Sequence, residues 1–242
     1  MADVETVFER LARALRGQAE RHGLLDQAVP IQCRPLTPVE AIGDPGDRDY
    51  PILKGKEALV EARFRDARGQ AFSDTYGNRT VTVRSLLDRL PENNRERAEF
   101  TAVLNAVYRH LGLCDGTVHC RDDEPRACAL ELEARIPAGE PVLLVGLQPR
   151  MLQFLAGRNP VRVVDLDPDN VGAVKHGVTV EGPEGTEAGL RWCARILATG
   201  STLVNGTLPR FLEAGKPVIF YGVTVAAAAV VLGLERFCAR AR

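Results

Sequence analysis

Hydrophobic positions recur with different periods along this chain, and the change of period divides it. Val4, Phe8, Leu11, Ala12 and Leu15 fall at helical spacing and predict an amphipathic helix over 4–22. An extended AVPIQCRPL (28–36) and a turn-rich GDPGDRDYP (43–51) follow. Val60, Ala62 and Phe64 then alternate with Glu61, Arg63 and Arg65, the pattern of a strand with one wet face. Asp66 to Gly69 are expected to turn the chain, so that GQAFSD (69–74) returns as the partner strand. Two helices are predicted near 82–90 and 94–112. The second carries an apolar stripe of Phe100, Val103, Leu104, Val107 and Leu111.

After residue 114 short apolar runs alternate with helical patterns. The runs are PVLLVG (141–146), VRVVDLD (161–167), RILATG (195–200) and PVIFYG (217–222), with GVTVEG (177–182) as a shorter candidate. Helices are expected near 148–156, over EAGLRWCA (187–194) and in the Ala/Val-rich stretch after Gly222. Repeated strand–loop–helix units imply right-handed crossovers. The fold class is therefore α/β: a Rossmann-like, mostly parallel sheet with helices on both faces (114–242), preceded by a smaller α+β domain (1–113).

Composition narrows the functional classes. In 242 residues, 45% are hydrophobic and 26% charged, which excludes a disordered chain. Thirty-one basic residues against 32 acidic ones leave a net charge of -1, so nucleic acid is not an expected partner. The N-terminus interleaves charges and lacks a continuous apolar core, which argues for a cytoplasmic protein. Val218–Leu234 is apolar but shorter than the roughly 20 residues of a membrane span, and Gly222 divides it. The six cysteines are expected to be reduced thiols.

Rossmann-like sheets bind ligands at the carboxyl ends of their strands, near a topological switch point. Gly146 ends the first strand of the second part, yet only the first glycine of a G-x-G-x-x-G fingerprint is present. Pro149 suits a first helical turn. Asp165, 19 positions later, is placed to bond ribose hydroxyls, and Asp167 follows it; capping of the next turn is the competing role for both. The loop ATGSTLVNGTLP (198–209) offers Gly200, Ser201, Thr202, Asn205 and Thr207, small and polar groups suited to an anion beside a helix start. Helix capping by Thr202 or Thr207 is compatible with that role. Gly222, at the end of the fourth strand, completes the candidate set.

Cys114, His119, Cys120 and Cys128 fall within fifteen residues. Thiolate and imidazole suit zinc and softer metals, so His119, Cys120 and Cys128 are candidate ligands, although no C-x-x-C pair is present. Asp123 and Pro125 mark a helix start that would carry Cys128. A buried helix cysteine beside a loop histidine is the simpler reading. His22, His110 and His176 show no partner in the sequence. Lys54 and Lys56, two of only four lysines, flank Gly55 and could meet an anion, though a solvated turn accounts for them more simply.

YPILKGKEALVEARFRDARGQAFSD, FTAVLNAV, DGTVHCRDDEPRACA and ATGSTLVNGTLP, in that order, resemble the family called "putative heavy-metal chelation" proteins. The resemblance implies a first domain similar to the N-terminal domain of enolases, and a Rossmann-like second domain similar to those of molybdenum-cofactor biosynthesis. No enolase barrel is present, so enolase chemistry does not transfer. ATGST is also similar to the T-G-G-T-G loop of molybdopterin-binding domains, with Ser201 in place of the second glycine. The resemblance implies handling of a heavy or transition metal through a pterin-like or other chelating ligand. The expected function is thus binding of a small anionic chelating ligand at the strand ends. The alternatives are an enzyme dependent on S-adenosylmethionine or a nucleotide, and direct metal binding through Cys and His. No nucleophile–base pair can be named, and a homodimer is expected on size alone.

Overall fold

The computed structural model describes residues 3–25, 31–55 and 57–242. The first part contains α1 (Val4–Arg21), β1 (Ile31–Pro35), α2 (Pro38–Ile42), β2 (Ala58–Phe64), β3 (Ala67–Ser73), β4 (Arg79–Val81), α3 (Val83–Leu86) and α4 (Asn94–His110). The second contains α5 (Glu124–Leu130), β5 (Val142–Val145), α6 (Pro149–Ala156), β6 (Val161–Val164), β7 (Val174–Lys175), β8 (Val178–Glu181), α7 (Thr186–Trp192) and β9 (Arg195–Thr199). It ends with α8 (Ser201–Val204), α9 (Leu208–Leu212), β10 (Val218–Tyr221), α10 (Ala226–Leu232) and β11 (Arg236–Phe237).

The first sheet is antiparallel, in the order β3-β2-β1-β4. The second runs β11-β10-β9-β5-β6-β8-β7 and is parallel except where β7 meets β8. The chain leaves β5 toward β6 on one side and later returns to β9 on the other. The switch point therefore lies between β5 and β9.

Side-chain alternation along β5 divides the interior. Leu143 and Val145 join a core with α1, α4, α7 and α10, whereas Val142 and Leu144 join α5 and α6 on the opposite face. Helices thus cover both faces of the parallel sheet. The first core also takes in Val60, Ala62 and Phe64 of β2, so apolar packing runs without a break from one sheet to the other.

Two residues set how the parts meet. A Cβ at Gly69 would lie 2.2 Å from the Ala106 nitrogen and 2.3 Å from the Ala102 oxygen, so glycine lets α4 lie directly on β3. Asn105, on α4 and fully buried, donates to the carbonyls of Gln70, Val223 and Thr224 and accepts from the Ala227 amide at 2.8 Å. It satisfies backbone groups of β3 and of the turn before α10.

The structure corrects three expectations. The β2–β3 turn is only Arg65 and Asp66, with Arg65 at φ 53°, so Ala67 to Gly69 already belong to β3. The outward face of β2 is not wet throughout: Glu61 is 2% exposed and is joined by Arg63, Arg68 and Gln70. His110 has partners, its Nδ1 lying 2.7 Å from Asp66 and its Nε2 accepting from Arg65 at 3.0 Å. Residues 28–30 of the extended segment lie outside the described residues. No helix among the described residues is long and apolar enough to cross a membrane.

Candidate functional site

The carboxyl ends of β5, β6, β9 and β10 open onto a cavity of about 540 Å³. The first part supplies its other wall: Tyr50, Ile52 and Glu57 from the segment before β2, and Phe72 and Ser73 from the end of β3. The site thus lies at the switch point, where this class of sheet places ligands.

Gly146 adopts φ +83°, and a Cβ there would lie 2.8 Å from Thr199 and 3.1 Å from the Tyr221 hydroxyl. Tyr221 donates to the Gly146 carbonyl at 2.8 Å. Glycine is required by both the backbone conformation and the close approach of β9 and β10. Burial first, and the Asp165 charge second, push the Tyr221 phenol well above its ordinary range, so it remains a donor.

Asp165 fills the capping role. Its Oδ2 accepts from the Leu147 amide at 2.6 Å and its Oδ1 from the Asp167 amide at 2.8 Å. One carboxylate therefore pins the loop after β5 to the loop after β6. Asp167 accepts from the Asp169 amide at 3.1 Å. Both acids still line the cavity.

Ser201, Thr202, Asn205 and Thr207 line the same cavity, but most of their polar atoms serve the loop itself. Thr202 donates to the Thr199 carbonyl at 2.7 Å, and Asn205 accepts from the Thr207 amide and hydroxyl at 3.1 and 2.7 Å. Thr202 is not an N-cap, because α8 begins at Ser201 after Gly200. Thr207 occupies the N-cap position of α9, but its hydroxyl donates to Asn205 and makes no capping bond. Gly200 does not line the cavity: a Cβ there would lie 3.0 Å from the Val225 nitrogen, so this glycine serves the packing of α8 on the turn before α10. Gly222 does line it, at φ +98°, with nothing within 4 Å of a built Cβ.

His119, Cys120 and Cys128 form part of the wall, joined by Cys238 from beyond β11. The His119 Nδ1 lies 2.6 Å from the Cys120 carbonyl, an acceptor only, so the proton sits on Nδ1 and Nε2 keeps its lone pair. Burial holds His119 below the usual imidazole range. Burial likewise raises the thiols, Cys238 to about 11 and Cys120 higher still, which opposes thiolate formation at neutral pH. No group of three or more His, Cys, Asp or Glu among the described residues is arranged to hold a metal ion. None of the six cysteines is in a disulfide.

Glu57 is among the lining residues that the sequence does not single out, with Tyr50, Ile52, Phe72 and Ser73. Burial, reinforced by Asp165 and Asp167, pushes its carboxyl up to about 7. No hydrogen bond or ion pair joins it to a described residue. Lys54, three residues earlier, donates to Asn170 Oδ1 at 3.3 Å rather than standing in an open turn, while Lys56 lies outside the described residues. Arg150, in the first turn of α6, is 6% exposed and bridges Asp47 at 3.3 Å and Asp49 at 2.5 Å. Those bonds anchor the segment that carries Tyr50 over the cavity.

Comparison with known proteins agrees with this architecture. Residues 128–235 match the model of the DUF364 family, described as "Putative heavy-metal chelation". A DUF364 protein of unknown function from Desulfitobacterium hafniense DCB-2 shares the fold at 18% identity and a TM-score of 0.51, over 72% of each chain. Another of unknown function, from Pyrococcus horikoshii, does so at 15% identity and a TM-score of 0.54, over 90% of this chain and 79% of that one. Among curated proteins no match is found. Over residues 128–235 the chain is thus similar to the DUF364 family, and of the motifs that carry the resemblance ATGSTLVNGTLP (198–209) lies within that span.

Proposed function

We propose that the cleft binds a small organic chelating ligand, free or carrying its metal, and that the chain handles metal through that ligand. The observation that carries this reading is the cavity of about 540 Å³ at the switch point of the parallel sheet, within the roughly 300–1,000 Å³ of small-molecule sites. Phe72, Leu147 and Met151 offer apolar wall to a planar ring, and polar groups come both from the strand-end loops and from Glu57, Asp74 and Asp122. A pterin-like ring is one shape that suits such walls.

Electrostatics changes the expected charge of the ligand. Among the described lining residues, Glu57, Asp74, Asp122, Asp165 and Asp167 stand against Arg210. A bare anion would meet repulsion there. The wall supports instead a neutral or net positive guest, such as a chelate with its metal bound. Direct coordination by His119, Cys120 and Cys128 has less support, because burial keeps the thiols protonated.

Native mass spectrometry of protein purified without added chelators tests the reading. A retained small mass is expected in the parent. Ser201→Phe, which puts a ring into the cavity, should lose that mass while melting within a few degrees of the parent. A parent with no retained mass, or a mass retained equally by the variant, would count against the cleft.

A further inference from the structure

We propose that Glu57 is the recognition group of this cleft, and that it takes a cationic nitrogen group with paired N–H donors, an amidine- or guanidine-like edge on a flat ring. The inference rests on the reading that the cleft binds a small molecule, and names the chemistry of that guest.

Five carboxylates among the described residues line the cavity, and four are already engaged. Asp165 holds the amides of Leu147 and Asp167. Asp167 accepts from the Asp169 amide, Asp74 from the Asn94 side chain, and Asp122 from the Asp44 amide at 2.9 Å. Glu57 has no such partner among the described residues, yet it lies in the cavity wall. Glu57 is partly buried in that wall, and a guest that brings N–H donors can engage its carboxylate without displacing a bond to any described residue. Two oxygens side by side match two parallel N–H groups, as in an Arg–carboxylate fork.

The charges around Glu57 favour a cation. Asp165 and Asp167 face it from the loop after β6, and the protonated phenol of Tyr221 from β10. Lys54, on its own segment, donates to Asn170 Oδ1 at 3.3 Å and keeps its charge, and burial holds His119 in the wall below the usual imidazole range. With its carboxyl raised to about 7, Glu57 is half protonated at neutral pH. A cationic guest displaces that proton, so its affinity rises with pH through 7 and falls below it.

Three flat probes of one size separate the possibilities: benzamidine, benzamide and benzoate, titrated by NMR at pH 6 and pH 8. In the parent, benzamidine should bind at least about tenfold more tightly than benzamide at pH 8, and lose about tenfold in affinity at pH 6, following the ionised fraction of Glu57. Glu57→Gln should abolish both the preference and the pH dependence. Benzoate binding tightest, no probe binding, or an unchanged benzamidine preference in Glu57→Gln would overturn the proposal. Benzamidine binding lost in Ser201→Phe but unchanged in Glu57→Gln would leave the cleft standing and remove Glu57. Binding unchanged in both variants would remove both.

Discussion

Glu57 shows how one residue can be placed against its own stability. Its carboxyl titrates near 7 in the native protein, against 4.5 when unperturbed. Between those values the native state holds the proton more tightly than the unfolded chain does. The group's contribution to stability is therefore full below about 4.5 and is lost as the pH rises through 7. Glu57→Gln removes the ionisation and breaks no hydrogen bond to a described residue. The variant should be more stable than the parent by up to about 3 kcal/mol at pH 8, with the difference vanishing near pH 4.5. Urea unfolding at the two pH values measures this, and parallel pH profiles for the two proteins would contradict it. The sequence could not indicate this residue. Glu57 immediately precedes an apolar strand, and its place in the wall depends on a sheet whose first strand, β5, begins only at Val142. Asp165 was visible because a strand end is a local feature. Which of its two candidate roles it fills depends on the Leu147 amide, supplied by a different strand's loop.

At the scale of elements, the same substitution at two glycines should act in opposite directions. Gly17 lies in α1 with nothing within 4 Å of a built Cβ. Gly17→Ala should stabilise the protein by about 0.5–1 kcal/mol, since alanine loses less backbone entropy in a helix. A Cβ at Gly69 would press on the backbone of α4. Gly69→Ala must move the helix off β3 and should cost about 3 kcal/mol or more. Thermal or urea unfolding of both variants decides the matter, and equal effects would contradict the packing described. The elements themselves were legible because period 3.6 and period 2 are local signals: α1, α4, β5, β6, β9 and β10 all fall where the apolar spacing puts them. The β2–β3 turn was misplaced for a physical reason. Gly69 reads as a turn residue, but it is glycine to admit a helix, while the turn uses Arg65 and Asp66. Glu61 was read as solvent-facing because alternation does not reveal that Arg63, Arg68 and Gln70 close over it.

Across the whole molecule, a continuous core joins the two sheets, and the cleft forms where they meet above the strand ends. Asn105, through buried hydrogen bonds, and the partly buried Arg150 pairs to Asp47 and Asp49 tie the two walls together. Phe72 and Glu57 on one side then face Gly146, Asp165 and Gly222 on the other across a gap of a small molecule's size. The cavity is lined from both halves, so the strand-end loops alone indicate only part of its lining. The most direct measurement is a crystal structure of the protein purified without chelators and soaked with benzamidine. Density for the probe is expected in this cavity, with its two nitrogens within hydrogen-bond distance of the Glu57 carboxylate. Density for the probe elsewhere, or a cleft holding only water at saturating probe, would contradict it.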